Sequence, residues 1–145
     1  MAKYRFGLTS EKRLTGVKPE LVRTARDVLA LGIMDFSVIY GVRTHEEQEQ
    51  LYRAGRSMTM NSKHLKQPDG FSHALDLVPY PLDWKKVNAG DWVEISRFGV
   101  LNGLMQVCAK KNGIIVAWGN DWDRDGQTMD HNLHDAPHFE FRGYL

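Results

Sequence analysis

The segment HALDLVPY, residues 73–80, has the composition of a β-strand but carries a carboxylate in its middle. Because side chains alternate between the two faces of a strand, Asp76 lies on the face of Ala74, and His73 lies on the other. A carboxylate among leucine and valine side chains is costly to bury unless it is paired or bound to a cation. Two interpretations follow: another segment folds back to form a cation site with Asp76, or Asp76 caps a loop amide.

Short strands and helices are predicted on both sides of this segment. Strands are predicted over 35–44, 73–80, 114–118 and 138–144, and helices over 17–32, 44–57 and 91–113. Thr44, with Glu47 three residues later, has the pattern of a capping box at the start of the second helix. The polar segment 119–137 is predicted to be a loop, and loops of that length are usually functional. These elements indicate a small α+β domain with a mainly antiparallel sheet packed against helices.

Length and charge restrict what the protein can be. The 145 residues suffice for one domain over 1–145 with its own core, and we expect a monomer. A net charge of +1 without any Lys/Arg block predicts no nucleic-acid partner. No apolar run approaches the roughly 18 residues of a membrane span, and the N-terminal residues lack the apolar region of a secretory signal. The single cysteine, Cys108, lies on the apolar stripe of helix 91–113 and is expected to be a core thiol.

A second group of titratable residues lies in the segment HDAPHFEF. A strand that begins at His138 places His138 and Glu140 on one face, with Phe139 and Phe141 on the other. Asp135 stands just ahead of that strand, where its carboxylate could act as a general base beside a bound water. This segment therefore supplies both a candidate ligand and a candidate base.

Together the two segments suggest a metal site. His64, on the loop before the strand of Asp76, can fold back over that strand. Two histidines and one carboxylate from separate segments are a common zinc set, with the fourth position left for water. His131 and His134 are rivals of His138 for the third ligand, although placement on a strand fixes the direction of His138.

These motifs resemble those of a known family. SKH…SHALDLVPY, WGNDW and DAPHFEF resemble the Ser-x-His…Asp and Asp/Glu-x-x-His signatures of zinc D-Ala-D-Ala peptidases. They are more similar still to the L-alanoyl-D-glutamate endopeptidases that serve as endolysins of tailed phages. FGLTSEKRLTGVKPEL and VIYGVRTHEEQEQLY also resemble that phage branch, so the resemblance covers nearly the whole chain.

The resemblance implies a zinc peptidase domain with its zinc site on the sheet. It implies that His64, Asp76 and His138 bind the zinc and that Asp135 is the catalytic base. It also implies that Arg43 binds substrate and stabilises the oxyanion, a role that suits a fixed cation. Without the resemblance, Arg43 would be interpreted as a solvated arginine at the end of a strand.

The function implied is hydrolysis of the L-alanoyl-D-glutamate bond in the stem peptides of bacterial peptidoglycan, for host lysis. One alternative is a D-Ala-D-Ala carboxypeptidase or dipeptidase. Another is a metal-stabilised cell-wall-binding module without turnover, against which the presence of Asp135 argues. No separate cell-wall-binding domain is expected. Without a signal peptide, the protein would remain in the host cytoplasm until the inner membrane is breached, and would then act on the wall in the periplasm.

One spacing departs from the family pattern. His64 and Asp76 are twelve residues apart, whereas relatives have a shorter spacing, and Asp69 stands where their histidine would fall. The extra residues lie within LKQPDGF, which is rich in turn formers. We interpret them as a surface-loop insertion, which costs little entropy.

The segment DWDRDGQTMDHN has the Asp-x-Asp-x-Asp-Gly order of a calcium loop. Its twelfth position is Asn132 instead of the usual bidentate glutamate, so it is not a standard helix-loop-helix site. Some phage relatives carry calcium in the corresponding loop, and the alternative is a solvated acidic loop. The candidate calcium ligands are Asp121, Asp123, Asp125 and Asp130.

Overall fold

The computed structural model describes residues 2–128 and 135–145. The helices are α1 (Leu8–Leu14), α2 (Pro19–Ala30), α3 (His45–Arg53), α4 (Trp84–Asn88) and α5 (Trp92–Lys111). The strands are β1 (Phe36–Tyr40), β2 (Ala74–Pro79), β3 (Ile114–Gly119) and β4 (Asp135–Tyr144). No helix within these described ranges is both long and apolar enough to cross a membrane.

The four described strands form one sheet in the order β1-β2-β4-β3. Each neighbouring pair is antiparallel, so the predicted α+β domain with a mainly antiparallel sheet is confirmed. β2 and β4 are adjacent in the middle of the sheet although a long stretch of sequence separates them. In their register Asp76 lies directly opposite His138, which places the two side chains on the same face.

The hydrophobic core lies on the other face of the sheet. Leu75 and Leu77, which flank Asp76 along β2, are fully buried in this core. α5 packs against β2 and β3, and α2 packs against α5. Cys108 is buried on α5, as the helical pattern predicted. The alternation of β2 therefore directs leucines into the core and the carboxylate toward the opposite face.

Two short helices are absent from the sequence prediction. α1 has seven residues and α4 has five, which is too short for a helical repeat of apolar residues to show. α4 begins after Asp83, whose carboxylate accepts hydrogen bonds from the main-chain N–H groups of Lys85 and Lys86. The other three helices begin and end within a few residues of the predicted limits.

The predicted limits of two strands were wrong. β1 ends at Tyr40, before the predicted residue 44. Beyond Tyr40 the main-chain N–H of Arg43 donates to the His64 carbonyl instead of to β2. β4 begins at Asp135 instead of His138, because Asp135 pairs with Gly119 at the end of β3. A Cβ atom at Gly119 would lie 1.9 Å from the Asp135 carbonyl oxygen, so glycine permits this close pairing.

The segment LKQPDGF, interpreted above as an insertion, is a surface loop that hydrogen-bonds to the body of the protein. The Asp69 carboxylate accepts hydrogen bonds from Lys18 Nζ at 2.7 Å and from His73 Nε2 at 2.9 Å. The main-chain N–H of Lys18 donates to the Ser72 carbonyl at 2.8 Å. Asp69 therefore pairs with Lys18 and His73 and not with the residues around Asp76. His64 reaches Asp76, as predicted.

The chain at Gly41, just after β1, packs closely against α1, and a substitution at Gly41 tests this packing. A Cβ atom there would lie 1.9 Å from the Arg13 carbonyl oxygen, so Gly41→Ala should destabilise the protein by about 1–3 kcal/mol. Gly103→Ala is the matched control, because Gly103 is exposed in α5 and its Cβ would meet no described atom within 4 Å. That change should stabilise by about 1 kcal/mol. Urea unfolding measures both; equal effects would contradict the packing described here.

Candidate active site

The Asp76 carboxylate is the centre of a buried polar cluster. Its Oδ1 atom lies 3.0 Å from His64 Nε2 and 3.2 Å from His138 Nδ1. The three residues are 8%, 2% and 7% exposed, and the two imidazole rings meet edge to face with centroids 5.1 Å apart. The structure therefore brings together the three residues that the resemblance implied as metal ligands.

His64 is held by three main-chain and side-chain contacts from neighbouring segments. Its Nδ1 donates a hydrogen bond to the Gly41 carbonyl at 2.8 Å. Its main-chain N–H donates to Ser62 Oγ at 3.1 Å, and its carbonyl accepts from the Arg43 N–H at 2.9 Å. Nδ1 is thus engaged with Gly41, and Nε2 is the nitrogen that faces Asp76.

His138 is oriented by a carboxylate that sequence analysis placed on the same strand face without a structural role. Its Nε2 donates to Glu140 Oε1 at 2.9 Å. Arg142 Nε in turn donates to Glu140 Oε2 at 2.9 Å. The signal that could have identified this contact was the two-residue spacing of His138 and Glu140 along β4, which puts both on one face.

The three inward-facing atoms have the chemistry and spacing of a metal site. His64 Nε2, Asp76 Oδ1 and His138 Nδ1 all lie within 4.8 Å of one another. Ligand atoms held at 2.0–2.1 Å from a tetrahedral zinc ion are separated by about 3.3 Å, which is close to the observed contacts. The outward nitrogens already have acceptors, as is usual for ligating histidines. The donor set therefore fits zinc.

His73 is the one other histidine of the Asp76 segment, and it takes no part in this cluster. His73 lies on the opposite face of the strand, as predicted, and pairs with Asp69. Asp130, His131 and His134 lie outside the described residues.

Hydrogen bonds decide in which direction the pKa values of Asp76 and His138 shift. Burial alone would raise the pKa of Asp76, but hydrogen bonds from His138 and His64 outweigh it and hold that pKa below its usual value. Burial alone would lower the pKa of His138, but its bonds to Asp76 and Glu140 raise that pKa to about 9. Both shifts favour the charged forms, so the contact between Asp76 and His138 is an ion pair at neutral pH.

Asp135 and Arg43 line the cleft above this cluster. The cleft has a volume of about 570 Å³. Burial raises the pKa of Asp135, and the nearby negative charge of Asp76 raises it further. The Arg43 guanidinium lies 5.3 Å from the ring centroid of Tyr40, and Trp122 stacks at a tilt near His138. A proton acceptor and a fixed cation therefore face the same space as the candidate ligands.

The acidic loop after β3 forms a second carboxylate cluster. Oxygen atoms of Asp121, Asp123 and Asp125 lie within 4.8 Å of one another. The Asp121 carboxylate also accepts the main-chain N–H groups of Asp125 at 3.1 Å and Gly126 at 2.9 Å. The loop is thus folded around Asp121, with three of the four predicted oxygen donors close together.

The histidine–aspartate cluster, Asp135 and Arg43 thus line one cleft. Residues 2–142 match the family model described as phage L-alanyl-D-glutamate peptidase. The chain therefore belongs to the phage L-alanyl-D-glutamate peptidase family, as its motifs predicted, and the expected enzyme class of peptidoglycan endopeptidase is confirmed.

Two relatives support this assignment over almost the full length of the chain. The chain is 32% identical to the L-alanyl-D-glutamate peptidase of Escherichia phage T5, over 94% of this chain and 97% of that protein. The crystal structure of the Serratia marcescens L-Ala D-Glu endopeptidase ChiX is similar with a TM-score of 0.69 and 30% identity. That match covers 97% of this chain and 91% of ChiX.

The raised pKa of His138 predicts a pH-dependent stability of the metal-free protein. Its ordinary value is 6.5, so the stabilisation it provides is complete below about pH 6.5 and is lost as pH rises through about 9. The melting temperature of chelator-treated protein should fall over that window. His138→Gln should show a smaller fall, because it lacks the titrating ring. Parallel curves for the two proteins would contradict the hydrogen bonding described for His138.

Proposed function

We propose that this chain hydrolyses the L-alanoyl-D-glutamate bond of peptidoglycan stem peptides with a zinc ion held by His64, Asp76 and His138. The observation that carries the proposal is the convergence of two histidine nitrogens on one buried carboxylate in a member of this family. Two imidazoles and one carboxylate are a known catalytic zinc set. When bound, zinc supplies Lewis acidity toward the scissile carbonyl and the attacking water.

The surrounding residues prepare the ligands for that ion. Gly41 and Glu140 each accept a hydrogen bond from the outward nitrogen of one histidine, so each ring keeps one tautomer and one orientation. Asp76 lies between both rings and carries the negative charge that offsets a divalent cation. The ligands are therefore ordered before the metal arrives.

Asp135 acts as the general base in this proposal. It faces the same cleft as the cluster. Its pKa is raised toward neutral pH, and a general base transfers protons most effectively when its pKa lies near the working pH. The carboxylate takes a proton from the attacking water and delivers it to the nitrogen of the leaving D-glutamate. The amide bond then breaks, leaving a free carboxylate on L-alanine and a free amine on D-glutamate.

Arg43 stabilises the negative charge that develops on the scissile carbonyl oxygen. Arginine stays protonated at any physiological pH, and a fixed cation in a partly desolvated cleft is worth a few kcal/mol at the transition state. Arg43 lines the cleft and is held against Tyr40, which restricts the directions available to its charge.

The protein would work as a single zinc peptidase domain and as a monomer, reaching the wall once the inner membrane is breached. Mass spectrometry of digested, purified sacculi tests the activity. New L-alanine C-termini and D-glutamate N-termini are expected. Release of D-alanine would instead favour a D-Ala-D-Ala peptidase, and binding without new termini would favour a wall-binding module.

Asp135→Asn separates chemistry from metal binding, because the amide has nearly the shape of the carboxylate but cannot accept the proton. The variant should retain one zinc ion and lose at least about 10²-fold of its turnover. His64→Ala should lose the zinc itself, whereas His73→Ala should keep both zinc and activity. Metal analysis together with sacculus digestion measures these outcomes. Parental turnover by Asp135→Asn would exclude Asp135 as the base.

We also propose that the acidic loop binds calcium through Asp121, Asp123 and Asp125, with Asp130 as a further donor. The clustering of three carboxylates in Asp-x-Asp-x-Asp-Gly order supports this. Millimolar calcium should raise the melting temperature, since a ligand of the folded state stabilises it. Asp123→Asn should reduce that shift, and magnesium serves as the control ion. An unchanged melting temperature in the parent protein would refute calcium binding.

A further inference from the structure

Gln48 is a fully buried polar residue in a helix whose other residues all keep some exposure to solvent. It has no exposed surface, and it is the one buried residue of α3. A buried amide without partners would cost several kcal/mol, so its hydrogen bonds must be complete for the helix to dock in this way. The hydrogen bonds of the Gln48 amide therefore offset the cost of burying it.

Both ends of the Gln48 amide are used, and they contact different segments. Oε1 accepts a hydrogen bond from Arg43 Nη1 at 2.9 Å. Nε2 donates to Ser57 Oγ at 2.8 Å and to the Thr59 carbonyl. The direction of the amide is determined chemically, since a guanidinium can only donate and a carbonyl can only accept.

Those two segments are opposite flanks of α3, and both line the cleft. Arg43 lies just before the helix, and the rim segment, residues 57–59, lies just after it. Gln48 thus connects the guanidinium to the cleft wall through one planar group. Thr59 N–H also donates to Ser57 Oγ, which closes the rim segment on itself.

We propose that Gln48 is a positioning residue that fixes the direction of Arg43 and couples it to the rim segment. The inference rests on the proposed role of Arg43 in transition-state stabilisation. A long arginine side chain has many rotamers, and a cation stabilises the transition state best when its direction is set beforehand. The Tyr40 ring restrains the Arg43 guanidinium as well, and Gln48 supplies the directional bond.

Two substitutions separate the contacts of Gln48. Gln48→Met keeps the length of the side chain and removes all three of its hydrogen bonds. Gln48→Glu keeps an acceptor for Arg43 but cannot donate to the Thr59 carbonyl. Gln50→Met, on the exposed face of the same helix, is the matched control. All three variants should retain one zinc ion, because none of these residues contacts the metal cluster.

The expected effect on turnover is selective. Gln48→Met should lower kcat by about 10-fold, part of the 10²–10³-fold loss typical when an oxyanion-stabilising donor is removed. Gln48→Glu should keep kcat within about 3-fold and mainly raise KM, and Gln50→Met should match the parent. In an Arg43→Ala background, Gln48→Met should add almost nothing to the loss, because its effect acts through Arg43.

A readout independent of turnover is the NMR signal of Arg43 Nε–H. A guanidinium held in one orientation should give one slowly exchanging signal in the parent and in Gln48→Glu, and a broadened or rapidly exchanging one in Gln48→Met. If the parent protein cleaves no sacculi, the proposed function is refuted, but the NMR signal still tests whether Gln48 positions Arg43. An unchanged signal in Gln48→Met, or a full 10-fold loss on top of Arg43→Ala, would overturn the role assigned to Gln48.

Discussion

The contact on which the site depends is the sharing of one Asp76 carboxylate oxygen by two histidine rings. A carboxylate in a central strand must be compensated, and here His64 and His138 supply hydrogen bonds from two directions. The compensation requires β4 to lie beside β2 and requires the loop of His64 to fold over the sheet. The strand order and the loop path thus meet one electrostatic requirement.

The residues around this contact hold it in one geometry. The Gly41 carbonyl fixes His64, and Glu140 fixes His138, each through the nitrogen that points away from Asp76. Gly41 can do this only because its missing side chain lets the end of β1 pass close to α1. Gln48 is likewise a buried residue whose hydrogen bonds join Arg43 to residues 57 and 59 of the cleft wall. Buried, satisfied polar groups of this kind give a site its rigidity.

The residues of the cluster can be predicted from the sequence, whereas the residues that hold them in place cannot. Strand alternation separated Asp76 from His73 and grouped His138 with Glu140, because a period of two decides direction within a strand without knowledge of the fold. That Asp76 and His138 meet was implied by the family resemblance. The start of β4 at Asp135 was missed, since it depends on a close pairing with β3 that no local pattern shows. The role of Gln48 was missed for a related reason: in a polar helix, a buried glutamine has no sequence signature, and only tertiary contacts reveal it.

The proposed activity depends on one zinc ion bound by His64, Asp76 and His138 on the sheet. Anomalous diffraction at the zinc absorption edge, from crystals grown with zinc, tests it most directly. One strong peak is expected within bonding distance, about 2.0–2.2 Å, of His64 Nε2, an Asp76 oxygen and His138 Nδ1. A peak elsewhere, such as beside His73 and Asp69, with none at Asp76, would contradict it.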